Sequence, residues 1–447
     1  MPPTFDLVVL GSGSAARDAA RKASTEFGAT VALVESTRWG GSCPNVACKP
    51  TKAYLVAADL ARDLRRLGPK LGLSVPGELD LARVRDWKNT LRKPQERWHE
   101  ELAERFETVR GEARLRDART VDVDGRELTA ERILVATGSR TAVPAIPGLE
   151  RLDWVDHVGA LELDALPRSL LVLGGGPVGL EFAQIFARFG SRVAIVQGAA
   201  RISPRSDEEA AAALAAALAE DGVEIVTGTT VERFEGSHAV LVNGGSLEAD
   251  RVLLASGRVP NVEALGLDRV GIRTHRAGIE VDERMRTSVA GVWAAGDVTG
   301  LAQFTPVAQY QARIAVDDMF ASSGRTADYS TLPTAIFTDP ELAAVGLTEH
   351  DALERGLDAL TATNPITNVT RSQYVEERNG LYKLVYERGT GRVLGIHVVS
   401  RNASDVVQGL AIAVARGVTV AELAAAHHIY PSWGEGVKAA AEQAVPV

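Results

Sequence analysis

Cys43 and Cys48 are the only cysteines among 447 residues. They fall in the stretch Trp39-Gly40-Gly41-Ser42-Cys43-Pro44-Asn45-Val46-Ala47-Cys48-Lys49-Pro50-Thr51-Lys52. Five steps along an ideal helix rise about 7.5 Å, whereas a disulfide wants its two Cα atoms roughly 4.4–6.8 Å apart. A bridge between these cysteines therefore needs a bend, with Cys43 in the turn and Cys48 inside the helix that follows. Gly40, Gly41 and Pro44 supply it: two flexible positions, then a residue that suits a first helical turn and breaks an interior one. Cys48 would then lie near a first turn, where unpaired N–H groups favour a thiolate. The pair reads as a redox-active dithiol. The alternative is two buried structural cysteines with a chance spacing.

The elements around this stretch repeat. Residues 7–35 read LVVLGSGSAARDAARKASTEFGATVALVE and residues 170–197 read LLVLGGGPVGLEFAQIFARFGSRVAIVQ. Each is an apolar strand, a glycine fingerprint, an amphipathic helix of roughly a dozen residues and a second strand, which together make a βαβ unit. Gly11, Gly13 and Ala16 fill the three small positions of the first fingerprint, with Ser12, Ser14 and Ala15 among them. Gly174, Gly176 and Gly179 fill those of the second, with Pro177 and Val178 among them. Small residues permit the tight turn, the approach of backbone to a pyrophosphate, and close packing of helix on strand. Glu35 ends the first unit, where an acidic residue accepts the hydroxyls of an adenosine ribose; a solvated glutamate is the alternative. Gln197 ends the second and lacks the negative charge that would repel a 2′-phosphate. Arg201 and Arg205 follow and could neutralise one, or be solvated loop arginines. Together they lean to NADPH over NADH.

Length and composition suit several soluble domains: 45% of residues are apolar, 24% charged, and the net charge is −9. That charge gives no pull toward nucleic acid or an anionic membrane surface. No apolar run reaches the 18 residues of a membrane span. The apolar start, residues 5–10, carries an Asp and no basic flank, so it reads as a buried strand rather than a signal peptide. Two cysteines in so long a chain make no disulfide framework, which points to a reactive pair cycling in the cytoplasm. No metal site is expected.

Gly-Gly-Ser-Cys-Pro-Asn-Val-Ala-Cys-Lys-Pro-Thr-Lys resembles the active-site signature of the flavin-dependent pyridine nucleotide–disulfide oxidoreductases, the class I family of lipoamide dehydrogenase, glutathione reductase and mercuric reductase. The resemblance covers nearly the whole chain. It implies an α/β fold with two Rossmann-like dinucleotide-binding domains, for FAD and NAD(P), and an α+β C-terminal dimerisation domain. The expected divisions are residues 1–150 and 263–327 for the FAD-binding parts, 151–262 for the inserted NAD(P) domain and 328–447 for the dimerisation domain. FAD would be held by Gly11, Ser12, Gly13, Ser14, Ala15, Ala16 and Glu35, and approached by Gly41, Ser42 and Lys52. Ala113 matches the position against the adenine, and Thr137 and Gly138 lie in the motif that closes the first FAD section. Asp297, in Ala294-Ala295-Gly296-Asp297, matches the residue on the ribityl chain, its alternative being a turn aspartate. Thr305 and Ala308 match the segment whose backbone N–H groups lie near the flavin ring. NAD(P)H would take Gly174, Gly176, Pro177, Val178, Gly179, Gln197 and Arg201, with Gly257 in a second copy of the closing motif; by family habit Gly179 leans to NADH. Electrons would pass from nicotinamide through flavin to a Cys43–Cys48 disulfide, Cys48 lying nearer the flavin and Cys43 attacking the substrate. Lys52 and Glu181 match a pair beside the flavin's reactive nitrogen, the alternative being an ordinary helix lysine and carboxylate.

The chain departs from that family at its C-terminus. The disulfide reductases carry a His-Pro whose histidine, from the partner subunit of a homodimer, is the general base. Here Tyr430-Pro431-Ser432-Trp433-Gly434-Glu435 puts Tyr430 in that place. The ordinary pKa of Tyr is about 10, against about 6.5 for His, so Tyr430 is at best a proton donor. His428 could substitute or be a loop histidine. Glu435 could be catalytic or complete a capping box with Ser432. Mercuric reductases share a non-His residue here but deliver metal through C-terminal cysteines, absent from residues 442–447. The expectation is an enzyme that reduces a small disulfide or related electrophile. The alternatives are a quinone or other acceptor reductase, and a lipoamide dehydrogenase-type subunit of a larger complex.

Overall fold

The structure, a computed structural model, describes residues 4–73 and 79–444. The chain divides into two compact units, one of residues 1–50, 87–142 and 257–328, the other of 51–86, 143–256 and 329–447.

The first unit is built on a sheet whose centre is β1 (Thr4–Leu10), flanked in parallel by β2 (Val31–Glu35) and by Arg126–Val135. Val8, Val9 and Leu10 are fully buried; a parallel strand covered on both faces is a continuous apolar run rather than an alternating one. α1 (Ser14–Phe27) crosses over between β1 and β2 and packs on the helix Thr305–Ala321. The strand Val292–Ala294 joins Arg126–Val135 in parallel, so residues beyond 257 return to the sheet begun at residue 4.

The second unit holds the repeated motif. Its four-stranded parallel sheet runs Glu224–Thr227, Arg192–Gln197, Ser169–Leu173, Arg251–Leu254, with Pro177–Phe189 as crossover helix. A five-stranded antiparallel sheet follows, in the order Thr334–Ile336, Glu341–Gly346, Val393–Ser400, Leu381–Glu387, Ala359–Pro365, packed with the helices Ala403–Ala415 and Glu435–Ala444. The architecture is thus the expected one of two dinucleotide-type α/β sheets and an α+β segment.

Gly68–Leu71 makes one helical turn, because Pro69 suits a first turn and Gly72, at φ 71°, ends it. One local expectation changes. Cys43 was to sit in a turn; instead it lies within α2 (Ser42–Asn45), and Cys48 opens α3 (Cys48–Arg66). The break falls between the cysteines, at Val46 (φ −140°, ψ 3°).

In the second unit α3 is held by buried charge. Arg62 pairs with Asp339 at 2.8 Å and with Glu377 at 3.4 Å. Arg188, 1% exposed, pairs with Asp221 at 2.9 Å, Asp59 at 2.6 Å and Asp339 at 3.3 Å. These pairs join α3, the crossover helix and the C-terminal segment, and each charge depends on the others for its solvation. Arg188→Met should therefore remove the nearest cation from Asp221 and Asp59, leave Asp339 to Arg62 and Arg401, and cost about 3 kcal/mol of stability. Chemical denaturation of the variant would show it as a fall in midpoint at unchanged slope.

Candidate active site

The dithiol loop is fastened by groups that carry no redox chemistry. Asn45, 4% exposed, donates from Nδ2 to the carbonyls of Trp39 (2.9 Å) and Gly41 (2.7 Å). Its own Oδ1 accepts from Gln95 at 3.0 Å, and its carbonyl accepts from Arg92 at 3.1 Å. Trp98 lies flat against Gly40, where a Cβ would come within 2.8 Å of the ring. Gly41 has φ 74° and meets the first fingerprint: a Cβ there would lie 2.5 Å from the Cα of Gly13. Cys43 is half-buried, Cys48 is exposed, and the pair lies near contact. The Cys48 sulfur stands 3.8 Å from the Thr305 hydroxyl. Asn45 and Trp98 carried no role in the sequence reading. The signal that could have found Asn45 is its place between the cysteines, where a buried amide can take the carbonyls a bend leaves unpaired.

The first fingerprint fits a dinucleotide. Gly11, at φ 110°, passes so near the Ala136 carbonyl that a Cβ would be 2.3 Å from its oxygen. α1 begins at Ser14 behind Gly13 with no side-chain cap, so the N–H groups of Ser14 and Ala15 remain for a phosphate. Ala16 is fully buried against the sheet. Glu35 is turned inward: it accepts from the Ser12 N–H (3.1 Å) and hydroxyl (2.6 Å), the Thr37 N–H (2.8 Å) and hydroxyl (3.0 Å), and the Arg38 N–H (3.2 Å). Its first task is to tie the glycine loop to the end of β2.

The same unit brings the later candidates together. Thr137 and Gly138 (φ 72°) are clasped by Asn261, whose Nδ2 donates to the Thr137 carbonyl at 2.9 Å while its N–H donates to that of Gly138 at 3.0 Å. Asp297 accepts from the Ser139 hydroxyl at 2.6 Å and stands 3.6 Å from Arg258. Ala113, half-buried, opens a short strand, and Gly257, at φ 124°, accepts from the Ala142 N–H. Thr305 starts an uncapped helix; the Ala308 N–H is already bonded to the Phe304 carbonyl, so the open N–H groups there are those of Thr305 and Val307.

In the second unit the second fingerprint repeats the geometry. Gly174 has φ 114° and no room for a Cβ beside the Ala255 carbonyl, and a Cβ at Gly179 would stand 1.9 Å from the Gly174 oxygen. Its helix also starts without a side-chain cap, at Pro177 and Val178 behind Gly176. Gln197 accepts from the Gly175 N–H at 3.1 Å. It does for this loop what Glu35 does for the Ser12 N–H. Arg201 is tied to the carbonyls of Ser203 (3.1 Å) and Ser206 (2.9 Å), whereas Arg205 is exposed.

Lys52 and Glu181 form a close pair, Nζ to Oε2 at 2.8 Å and to Oε1 at 3.0 Å. Glu181 also accepts from the Phe337 N–H at 3.0 Å, and the Lys52 ammonium lies over the Phe337 ring at 4.2 Å. Tyr430 is 72% exposed, with its hydroxyl 3.2 Å from that of Thr370. Glu435 accepts from the Thr370 N–H at 2.6 Å and the Ser432 N–H at 3.2 Å, and it opens the helix Glu435–Ala444 instead of standing three residues inside it as a capping box requires. His428 is turned to the Leu423 carbonyl at 3.3 Å. Among the described residues no cluster of His, Cys, Asp and Glu could hold a metal ion, and no helix is long and apolar enough to cross a membrane.

Residues 5–312 match the family described as pyridine nucleotide-disulphide oxidoreductase, and residues 332–441 match its dimerisation domain. The chain is 37% identical over 449 residues to a mercuric reductase of Lysinibacillus sphaericus, covering 98% of this chain and 82% of that one. It is 33% identical over 456 residues to a dihydrolipoyl dehydrogenase of Geobacillus stearothermophilus, covering 98% and 96%. The solved Cu(II) complex of the HOCl-induced flavoprotein disulfide reductase RclA from Escherichia coli superposes with a TM-score of 0.86 at 30% identity, covering 97% of this chain and 98% of that one.

The loop geometry separates the two second-site arginines. Arg205→Ala should lower kcat/KM for NADPH about tenfold, the scale of one lost charge-assisted hydrogen bond, and leave NADH unchanged. Gln197→Glu should shift the NADPH to NADH ratio the same way. Steady-state kinetics with both nucleotides read the ratio directly.

Proposed function

The chain belongs to the class I pyridine nucleotide-disulphide oxidoreductase family of FAD-dependent flavoproteins, and from that we propose that it passes electrons from NAD(P)H through Cys43 and Cys48 to a small disulfide or related electrophile. The supporting observation is the placement of the two thiols across the α2–α3 break, near contact, on a loop whose backbone abuts the first fingerprint. In this reading residues 1–150 and 263–327 bind FAD, 151–262 bind the nicotinamide nucleotide, with a lean to NADPH, and 328–447 form the interface of a homodimer.

Gly11, Gly13 and the start of α1 would hold the FAD pyrophosphate, and the bound group would supply two-electron transfer between nicotinamide and the disulfide. The chain's own residues do the rest. Cys48 opens α3, and a helix's first turn is a place that favours a thiolate. The Cys43 thiolate attacks one sulfur of the substrate, forming a mixed disulfide and releasing the first thiolate. Cys48 then attacks the Cys43 sulfur, releases the second thiolate and restores the intramolecular bond. The two leaving thiolates take one proton from reduction of the pair and one from solvent, with Tyr430 available as donor. Lys52 is fixed by Glu181 through both carboxylate oxygens.

A second reading is an acceptor reductase that uses flavin directly, with the dithiol idle. It is favoured by Tyr430, since an exposed phenol gives Cys43 no base. Hg(II) and Cu(II) belong on its panel, because relatives are named as a mercuric reductase and as a Cu(II) complex.

Anaerobic titration with NADPH, and then with NADH, tests the dithiol. One equivalent should raise a long-wavelength charge-transfer band with the flavin still oxidised, and Cys48→Ser should abolish that band. Bleaching of the flavin by the first equivalent, with no band, would sink the dithiol mechanism. Cys43→Ser should cut disulfide reduction at least a thousandfold while quinone reduction persists.

A further inference from the structure

In the second unit, residues 198–206 form the loop that carries both arginines able to meet a 2′-phosphate. Its start and middle are fastened to the second fingerprint. Gln197 accepts from the Gly175 N–H at 3.1 Å, and the Ser203 N–H donates to the Gly175 carbonyl at 2.8 Å. Ile202 packs so near that a Cβ on Gly175 would come within 3.1 Å of it. Ser203 makes its bond from the left-handed region, at φ 42°, a conformation that persists only where the surroundings impose it. Arg201 imposes part of it, donating to the carbonyls of Ser203 (3.1 Å) and Ser206 (2.9 Å), so its charge is turned into the loop. Arg205 is exposed and makes no ion pair or hydrogen bond among the described residues. It is the cation this loop leaves for a ligand.

Two residues beyond Arg205 the chain is pinned by a different part of the unit. Asp207 caps the helix Glu208–Glu220, its Oδ1 accepting from the N–H groups of Glu209 (3.1 Å) and Ala210 (3.4 Å). Its Oδ2 meets the Lys383 ammonium at 3.2 Å. Lys383 belongs to the strand Leu381–Glu387 of the C-terminal sheet, is 1% exposed, and also takes Glu209 at 2.9 Å and Glu349 at 2.7 Å. A lysine is almost never buried so fully unless it is paired. Glu209 and Glu349 are 49% and 44% exposed, so water can solvate them without it. Asp207 is 2% exposed and has no second ion-pair partner among the described residues. Lys383 therefore acts chiefly on Asp207.

We infer that Lys383 is a positioning residue for the nucleotide: by holding Asp207 it fixes the far end of loop 198–206 and so sets where Arg205 stands for the 2′-phosphate of NADPH. The inference deepens the proposed function and rests on its lean to NADPH. Arg205 lies midway between two anchors, Ser203 on the fingerprint and Asp207 on Lys383. Two residues of chain reach roughly 7 Å at most, so with both anchors fixed the Arg205 backbone has little freedom left. Without Lys383 only the fingerprint end is held, and binding has to order the rest of the loop.

Adenosine 2′,5′-bisphosphate and 5′-AMP are the probes, their binding to the oxidised, FAD-loaded protein measured by calorimetry so that no electron transfer is needed. The unaltered protein should hold the bisphosphate at least tenfold tighter than 5′-AMP. Lys383→Met should cut that preference about tenfold, the scale of one charge-assisted hydrogen bond. Asp207→Asn should do the same, because the amide keeps the helix cap and removes only the charge that Lys383 holds; it also serves where the Met variant fails to fold. Lys383→Arg, which keeps the charge, should retain most of the preference. Hydrogen exchange then locates the effect: the Ser203 N–H and its neighbours in 198–206 should exchange faster in both variants, with the strand Ser169–Leu173 unmoved. A bisphosphate preference that neither variant changes overturns the inference. Exchange that quickens throughout the unit overturns it too, since that is plain destabilisation. No preference in the unaltered protein overturns the NADPH reading and the inference with it, a result seen before any variant is made.

Discussion

At Gly13 and Gly41 two stretches of backbone meet with no space for a side chain at residue 41, and the first unit depends on that contact. Gly13 lies where β1 hands over to α1, and Gly41 lies where the chain leaves β2 and turns into the dithiol helices. A methyl group at residue 41 would stand 2.5 Å from the Gly13 Cα, a distance that only backbone movement could relieve. The fingerprint loop and the cysteine loop are thus one packed object. Asn45 then fixes the loop from inside by taking two carbonyls, and Trp98 covers Gly40 from outside. Moving either loop means moving both, which is how a fold keeps a reactive pair in constant relation to a nucleotide-binding turn.

The two βαβ units separate a structural task from a chemical one. In each, the residue ending the second strand accepts the N–H of the fingerprint's second residue: Glu35 from Ser12, Gln197 from Gly175. Either a carboxylate or an amide can accept that bond, so the loop is held in both cases while the local charge differs. The charge beside the turn can therefore differ between the two units without disturbing the turn itself. The uncapped helix starts at Ser14 and Pro177 belong to the same design, since a side-chain cap there would occupy the N–H groups an anion needs.

In the second unit the interior is charged as well as apolar. Arg62, Arg188 and Arg401 share Asp59, Asp63, Asp221, Asp339 and Glu377. Such a network is weak evidence for added stability, because desolvation offsets most of the attraction. Its directional bonds do specify arrangement. Arg188 reaches its partners only when α3, the crossover helix and the Asp339 loop stand in one register.

The sequence alone determined the features that follow from local sterics and period. Small residues at fixed offsets after an apolar run announced both fingerprints, and at Gly11, Gly174 and Gly179 a Cβ would collide with backbone. The cysteine spacing announced a bend, and the buried strands were legible as apolar runs of the right length. Tertiary structure decided the rest, because it depends on residues distant in the chain. It moved the bend to Val46 and put Cys43 in a helical turn. It turned Glu35 inward to its own loop, gave Asn45 the carbonyls of Trp39 and Gly41, and set Arg17 over Trp98 beside the cysteine loop. Nothing local to residue 17 distinguishes a helix arginine on the surface from one held against a tryptophan eighty-one positions on, since that contact is made only when separate segments pack.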